Sequence, residues 1–154
     1  MTFGIISDTH GILDTRLVDI LKECNHIIHA GDIGEMHILT KLKSLTIPVS
    51  AVYGNCDPFT IRKNLQASLQ LDILENRIEI NHFPFQENDL PVNPEQRWHI
   101  YISGHTHRPA VAWKPWKLYL NPGSASKPRQ GPQKTAMKLT ICKECKPQIE
   151  IIEI

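Results

Sequence analysis

Five short polar clusters in this 154-residue chain carry side chains that bind metal ions, and each follows an apolar run typical of a β-strand. The clusters are Asp8-Thr9-His10, Gly31-Asp32, Gly54-Asn55-Cys56-Asp57, Asn81-His82 and Gly104-His105-Thr106-His107. If the strands point the same way, the clusters converge on one edge, where open α/β sheets bind ligands. The sequence therefore predicts one site built from five separate segments.

Mixed Asp, Asn and His ligands suit Mn²⁺, Fe²⁺, Zn²⁺ or Ni²⁺, whereas Mg²⁺ and Ca²⁺ prefer sites made only of oxygen. In an extended segment, residues two apart point to the same side, so Asp8 and His10 are expected to face one cavity, as are His105 and His107. Each motif alone is common in loops, and the ordered set of five carries the prediction.

The first third of the chain alternates strands with helices. Apolar runs at 3–7, 26–30 and 47–53 predict strands, separated by a helix over about 14–24 and a second apolar stretch at helical spacing over 36–45. This β-α-β-α-β order predicts a parallel sheet flanked by helices. Later β-like runs fall at 69–74, 77–81, 99–103, 110–113, 117–120, 136–142 and 148–154, with a hairpin turn at Glu75-Asn76.

The segment 84–97 is polar and rich in proline. Long loops either cover sites or merely connect strands across a surface, and both interpretations stay open.

Composition restricts the class of protein. Lys and Arg number 17 against 16 Asp and Glu, so a net charge of +1 provides no basic field for a dedicated nucleic-acid coat. No run reaches the roughly 18 apolar residues of a membrane helix, and the first residues lack a basic leader. We expect one domain over 1–154, soluble and cytoplasmic.

Cys142 and Cys145 are expected to be ordinary thiols, with a redox or metal role as the alternative.

The five clusters, in this order, resemble the signature of the calcineurin-like metallophosphoesterase superfamily, and the resemblance runs from residue 4 to about 130. Gly54-Asn55-Cys56-Asp57 and the segment 120–124 resemble its minimal single-domain phosphodiesterase branch, whose relatives include a retromer subunit. The resemblance implies an α/β fold, a four-layer αββα sandwich of two mixed β-sheets flanked by helices. It also implies a hydrolase with a binuclear metal centre, most simply manganese, with Ni, Zn, Fe or Mg as alternatives.

The resemblance further implies a role for each cluster. Asp8, His10 and His107 would bind the first ion, Asn55, His82 and His105 the second, and Asp32 would bridge both. Asp8, His10, Asp32 and Asn55 are thereby the catalytic residues. A shared carboxylate holds two cations about 3.5 to 4 Å apart, where they activate a bridging hydroxide for in-line attack on phosphorus.

Two positions depart from the superfamily pattern. Cys56 replaces a His that can protonate the leaving group, and a thiol is a poorer donor, so aryl esters should be cleaved much faster than alkyl esters. A covalent role for Cys56 is unnecessary beside two metal ions. His82 precedes Phe83-Pro84 instead of Gly, which restricts the backbone at that ligand.

Arg108 and Arg129, with Cys56, are the predicted substrate contacts, and Ser124 and Lys127 also follow motifs that could meet a phosphate. The chain has three tryptophans, Trp98, Trp113 and Trp116. They are expected to form a packed surface or a homo-oligomer contact, with stacking on a nucleobase as the less favoured alternative. The leading hypothesis is a phosphodiesterase acting on a small phosphoester. The alternatives are a phosphomonoesterase or nucleotide hydrolase with the same site, and a non-catalytic metal-binding scaffold.

Overall fold

The computed structural model describes residues 1–86, 97–129 and 133–154. Within them lie ten strands and three helices, and no helix is long and apolar enough to cross a membrane. Their bounds in chain order are β1 Thr2–Ile6, α1 Thr15–Lys22, β2 His26–His29, α2 Met36–Lys43, β3 Val49–Ala51, α3 Phe59–Arg62, β4 Ser68–Ile73, β5 Asn76–Asn81, β6 His99–Ile102, β7 Pro109–Lys114, β8 Lys117–Pro122, β9 Thr135–Thr140 and β10 Gln148–Glu153.

The strands form two mixed five-stranded sheets, in the orders β10-β9-β1-β2-β3 and β4-β5-β6-β8-β7. Strands β1, β2 and β3 are parallel to one another, as are β5, β6 and β8. Their apolar inner faces pack together into one buried core, which includes Phe3, Ile5, Ile28, Met137 and Leu139 of the first sheet and Ile78, Ile80, Ile100, Ile102, Leu118 and Leu120 of the second. The predicted sandwich of two mixed sheets with helices is therefore confirmed.

The helices of the described residues cover the outer face of the first sheet. Leu17 and Leu21 of α1, Leu42 of α2 and Ile61 of α3 join a second buried cluster with Ile6 and other side chains of the sheet. Helix α1 begins where the side chain of Asp14 accepts a hydrogen bond from the Arg16 amide, which satisfies one of the free N–H groups of the first turn. Helix α3 was not predicted, because four residues are too few to show a period.

The hairpin between β4 and β5 differs from the prediction by one residue. Its turn is Leu74-Glu75, and both residues have positive φ angles of 51° and 64°. Asn76 is paired with Ile73 in the ladder instead. The side-chain amide of Asn76 donates to the carbonyl of Leu74 at 2.8 Å, so this buried residue stabilises the turn from its edge.

Two further expectations meet different outcomes. Cys142 and Cys145 are joined by a disulfide in the loop between β9 and β10, so the expectation of free thiols is wrong. The segment 84–97 lies mostly outside the described residues, which resume at Arg97. At its start, the ring of Phe85 contacts Tyr101 on the outer face of the second sheet at 5.1 Å.

Candidate metal centre

All five polar clusters lie at the carboxyl ends of the strands that precede them, β1, β2, β3, β5 and β6. Backbone hydrogen bonds join the loops to one another: the amide of Asp8 donates to Gly31, that of His10 to Asp32, and that of Gly104 to His82, each at 3.0 Å. The structure therefore brings together every residue that the sequence predicted as a metal ligand.

One group of ligand atoms comes from Asp8, His10, Asp32 and His107, and these atoms all lie within 4.8 Å of one another. The Nε2 atom of His107 lies 3.1 Å from Oδ1 of Asp8 and 3.4 Å from Nε2 of His10. Burial lowers the pKa of His10, which favours the neutral imidazole that binds metal. Side chains of this kind at this spacing are a candidate group for binding a divalent ion.

The hydrogen-bond pattern shows that a cation fits this first group. The Nδ1 atom of His107 lies 2.6 Å from the carbonyl oxygen of Lys127, which only accepts, so Nδ1 carries the proton. In the neutral ring, Nε2 then presents a lone pair to Oδ1 of Asp8. That buried oxygen has no hydrogen-bond donor among the described residues. Two lone pairs that face each other across 3.1 Å are stabilised by a positive ion between them.

A second group of lone pairs lies beside the first. The Nδ1 atom of His82 donates to the carbonyl of Ala30 at 2.8 Å, so its Nε2 faces the side-chain oxygen of Asn55 at 3.1 Å. The Nδ1 atom of His105 lies 3.0 Å from the same oxygen. The amide nitrogen of Asn55 is turned away, toward the sulfur of Cys56 at 3.3 Å. The donor set again suits a divalent ion.

Asp32 lies between the two groups. Its Oδ1 accepts a hydrogen bond from the Cys56 amide at 2.8 Å, while Oδ2 lies 3.4 Å from Nε2 of His82 and 4.0 Å from Nε2 of His10. Burial opposes ionisation of Asp32, but the protonated form of His82 and the hydrogen bond from the Cys56 amide outweigh burial and lower the pKa of Asp32. The pKa of His82 is lowered by burial and raised more strongly by Asp32 and Ala30. Both shifts indicate a site that favours positive charge beside an ionised carboxylate.

Most of these side chains stand on strained backbone. Five candidate ligands have φ angles in the left-handed region that favours glycine: Asp8 at 54°, His10 at 44°, Asp32 at 53°, His105 at 68° and His107 at 58°. The expected geometry was an extended segment, which would place Asp8 and His10 on one side. They do face one site, but through tight turns, because the chain reverses directly after the strand. Such strain is concentrated at functional sites in proteins.

The three predicted substrate contacts have different positions. A cleft of about 370 Å³ opens onto the candidate ligands, and Cys56, Lys127, Pro128 and Arg129 complete its lining. Partial burial and the adjacent Asp32 carboxylate raise the pKa of the Cys56 thiol, so the thiol is protonated at neutral pH. Arg108 is exposed and does not line this cleft.

Several residues that support the site were missed as supports. Asp57 is buried, and its two carboxylate oxygens accept from the amides of Gly34 and Gly54, each at 2.7 Å. Ser124 was predicted near a phosphate, but its buried hydroxyl donates to the carbonyl of Asp8 at 2.9 Å. The side chain of Asn121 donates to the Gly104 carbonyl at 2.6 Å. For Ser124 and Asn121, the only signal in the sequence was the Asn-Pro-Gly-Ser turn that contains them.

The fold and the candidate metal centre define a metal-dependent phosphoesterase. The family model of the calcineurin-like phosphoesterase superfamily domain matches residues 1–144, and the chain belongs to that superfamily. Its members use divalent metals, which agrees with the metal-binding group found here.

Similar proteins include a probable metallophosphoesterase of Methanocaldococcus jannaschii. The two sequences are 35% identical over 152 residues, which is 92% of this chain and 76% of the relative. Among solved structures, a novel archaeal phosphodiesterase matches with a TM-score of 0.80 at 22% identity, over 100% of both chains. Vps29 of Entamoeba histolytica, in complex with zinc, matches with a TM-score of 0.74 at 20% identity, over 99% of both chains. At these identities the structural matches show a shared fold.

Proposed function

We propose that this protein is a phosphodiesterase that uses two divalent metal ions to hydrolyse a small phosphoester. The observation that carries the proposal is the position of Asp32. One of its carboxylate oxygens faces ligand atoms of both groups, at 3.4 Å on one side and 4.0 Å on the other. A carboxylate shared between two cations is the usual arrangement in two-metal sites.

Asp8, His10 and His107 would hold the first ion, and Asn55, His82 and His105 the second, with Asp32 between them. Two carboxylates and otherwise neutral donors leave the loaded site with excess positive charge, which attracts a phosphate. When bound, a pair of divalent ions neutralises the phosphate and makes a water molecule a stronger nucleophile. The nitrogen and oxygen donors favour a transition ion, and we propose Mn²⁺, with Ni²⁺, Zn²⁺, Fe²⁺ or Mg²⁺ as alternatives.

The chain's own side chains would bind and orient the ester. Neither Lys127 nor Arg129 has a side-chain hydrogen bond or ion pair within residues 1–86, 97–129 and 133–154, and both line the cleft. These two cations would contact the non-bridging oxygens and any further anionic group of the substrate. The Cys56 thiol, being neutral, would lie against the ester without acting as a nucleophile. For Arg108, substrate contact stays a prediction.

The proposal is tested by removing metal from the protein and adding back Mn²⁺, Ni²⁺, Zn²⁺ or Mg²⁺ separately. Hydrolysis of bis(p-nitrophenyl) phosphate is compared with that of p-nitrophenyl phosphate. Asp32→Ala is the test variant, and Asp19→Ala is the matched control, since Asp19 is exposed and pairs only with Lys22 among the described residues. We expect metal-dependent hydrolysis of the diester in wild type and Asp19→Ala, and its loss in Asp32→Ala.

The same assay separates the alternatives. Faster hydrolysis of the monoester would replace the proposal with a phosphomonoesterase, and a parallel assay of nucleoside diphosphate hydrolysis tests the nucleotide hydrolase. Binding of metal without any hydrolysis would indicate a scaffold. Equal activity in Asp32→Ala and Asp19→Ala would refute the shared role of Asp32.

A further inference from the structure

His29 lies beneath the candidate metal centre, fully buried at the end of β2 and absent from the lining of the cleft. Neither of its hydrogen bonds is made to a candidate metal ligand. Its two ring nitrogens contact the loop that carries Asp8 and His10 and the loop that carries Asp32. A side chain in this position can affect the site only through the loops.

The hydrogen bonds of His29 define one tautomer. The amide of Gly31 donates to Nδ1 at 3.2 Å, so Nδ1 is the unprotonated nitrogen. The proton therefore sits on Nε2, which donates to the hydroxyl of Thr9 at 2.9 Å. That hydroxyl in turn donates to the carbonyl of Ile33 at 3.0 Å. Every polar atom of this buried chain of hydrogen bonds has a partner, and the imidazole is neutral.

The chain of hydrogen bonds holds the residues between the ligands. Thr9 separates Asp8 from His10, and Gly31 directly precedes Asp32. The same two loops are also joined by backbone hydrogen bonds from Asp8 and His10. Because both of those residues have left-handed backbone, the turn needs support from side chains to keep its conformation.

We propose that His29 is a positioning residue, which fixes the distance between the Asp8–His10 loop and Asp32 through its hydrogen bond to Thr9. This inference rests on the proposed function only in taking Asp8, His10 and Asp32 as metal ligands. Groups that hydrogen-bond directly to metal ligands change metal affinity or activity by about 10- to 100-fold when they are removed. His29 bonds to the residues next to the ligands, so we expect the lower end of that range.

The test uses a matched pair of variants at Thr9. Thr9→Val keeps the shape of the side chain and removes the hydroxyl, whereas Thr9→Ser keeps the hydroxyl and removes a methyl group. We expect Thr9→Val to bind Mn²⁺ about 10-fold more weakly by calorimetry, with a fall in kcat larger than any change in KM. Thr9→Ser should have Mn²⁺ affinity and kcat close to the wild-type values, although it loses a methyl group that Thr9→Val keeps.

A second readout does not need metal or activity. In the metal-free protein, ¹⁵N NMR of the His29 ring should show the proton on Nε2, and Thr9→Val should perturb that signal while Thr9→Ser preserves it. A proton on Nδ1 would overturn the proposal, as would equal Mn²⁺ affinity in Thr9→Val and Thr9→Ser. If wild type binds no metal, the proposed function is wrong. The NMR signals then still show whether Thr9 holds the His29 ring in the proposed tautomer.

Discussion

The Nε2 atom of His82 lies 3.1 Å from the side-chain oxygen of Asn55, and when Nδ1 carries the only proton of the ring, no hydrogen lies between these two atoms. Its one proton is donated from Nδ1 to the carbonyl of Ala30. The amide of Asn55 does not relieve the contact, because its nitrogen faces Cys56. This pair marks the second of the two proposed ion positions.

Replacing Asn55 tests that position directly. We expect Asn55→Ala to lower the number of bound Mn²⁺ ions from two to one and kcat/KM by about 100-fold or more, because the second ion loses an oxygen ligand. Calorimetry with Mn²⁺ and diester hydrolysis measure the two effects. Asn64→Ala is the matched control, since Asn64 is exposed and donates only to Thr60 among the described residues. Two ions bound by Asn55→Ala would remove Asn55 from the ligand set.

Cys56 gives a prediction about leaving groups. The thiol has a raised pKa and protonates an alkoxide poorly, so wild type should hydrolyse aryl diesters much faster than alkyl diesters. Cys56→His places an imidazole at the same position, and the ratio of aryl to alkyl rates should fall by about 10-fold or more. Cys56→Ser is the control and should keep the wild-type ratio. An unchanged ratio in Cys56→His would show that position 56 does not reach the leaving group.

His29 predicts how stability depends on pH in the metal-free protein. Burial, with a smaller contribution from His82, lowers the pKa of His29 from 6.5 to about 3. The unfolded chain therefore binds the proton more readily, so this contribution to stability is present above pH 6.5 and is lost as the pH falls toward 3. Between pH 7 and pH 5 the loss is about 2 kcal/mol.

Urea unfolding of wild type and His29→Gln at both pH values measures this contribution, since the difference between the two proteins isolates His29 from the carboxyl groups. His29→Gln should be less stable at pH 7 and should lose less stability at pH 5 than wild type. An equal loss of unfolding free energy between pH 7 and pH 5 in the two proteins would contradict the lowered pKa of His29.

The hairpin turn at Leu74-Glu75 predicts a stabilising substitution. Leu74 has a φ of 51° and is 42% exposed, so it has backbone strain and little burial to lose. Asn tolerates the left-handed region and is favoured in two-residue hairpin turns. We expect Leu74→Asn to raise the free energy of unfolding by up to about 1 kcal/mol in urea titrations, with unchanged metal affinity. Destabilisation would show that contacts of the Leu74 side chain outweigh the strain.

The sequence was sufficient for the main architecture because the strands are apolar and the ligand clusters follow them. The alternation of strands and helices predicted the parallel part of the first sheet, and the position of each cluster after a strand predicted convergence. Boundaries differed by one or two residues where hydrogen bonding, not hydrophobicity, ends an element. The turn at Leu74-Glu75 was misplaced because Asn76 is the residue type that usually occupies such a turn.

The supports of the site were harder to predict than its ligands. Asp57 and Asn121 reach backbone groups of other loops, at Gly34 and Gly104. His29 reaches another loop through the side-chain hydroxyl of Thr9. Such bonds leave no period or spacing in the sequence, since their partners are any residues that the fold brings near. Ligands, by contrast, are limited to a few residue types in a recognisable order.

The left-handed backbone at five candidate ligands sets a selection pressure on this fold. Strain at each such residue costs about 1–3 kcal/mol, which the hydrogen bonds that join the loops offset in part. Glycine at one of these positions would relieve the backbone strain, but it would also remove a candidate metal ligand. Stability and metal binding therefore oppose each other at these five positions.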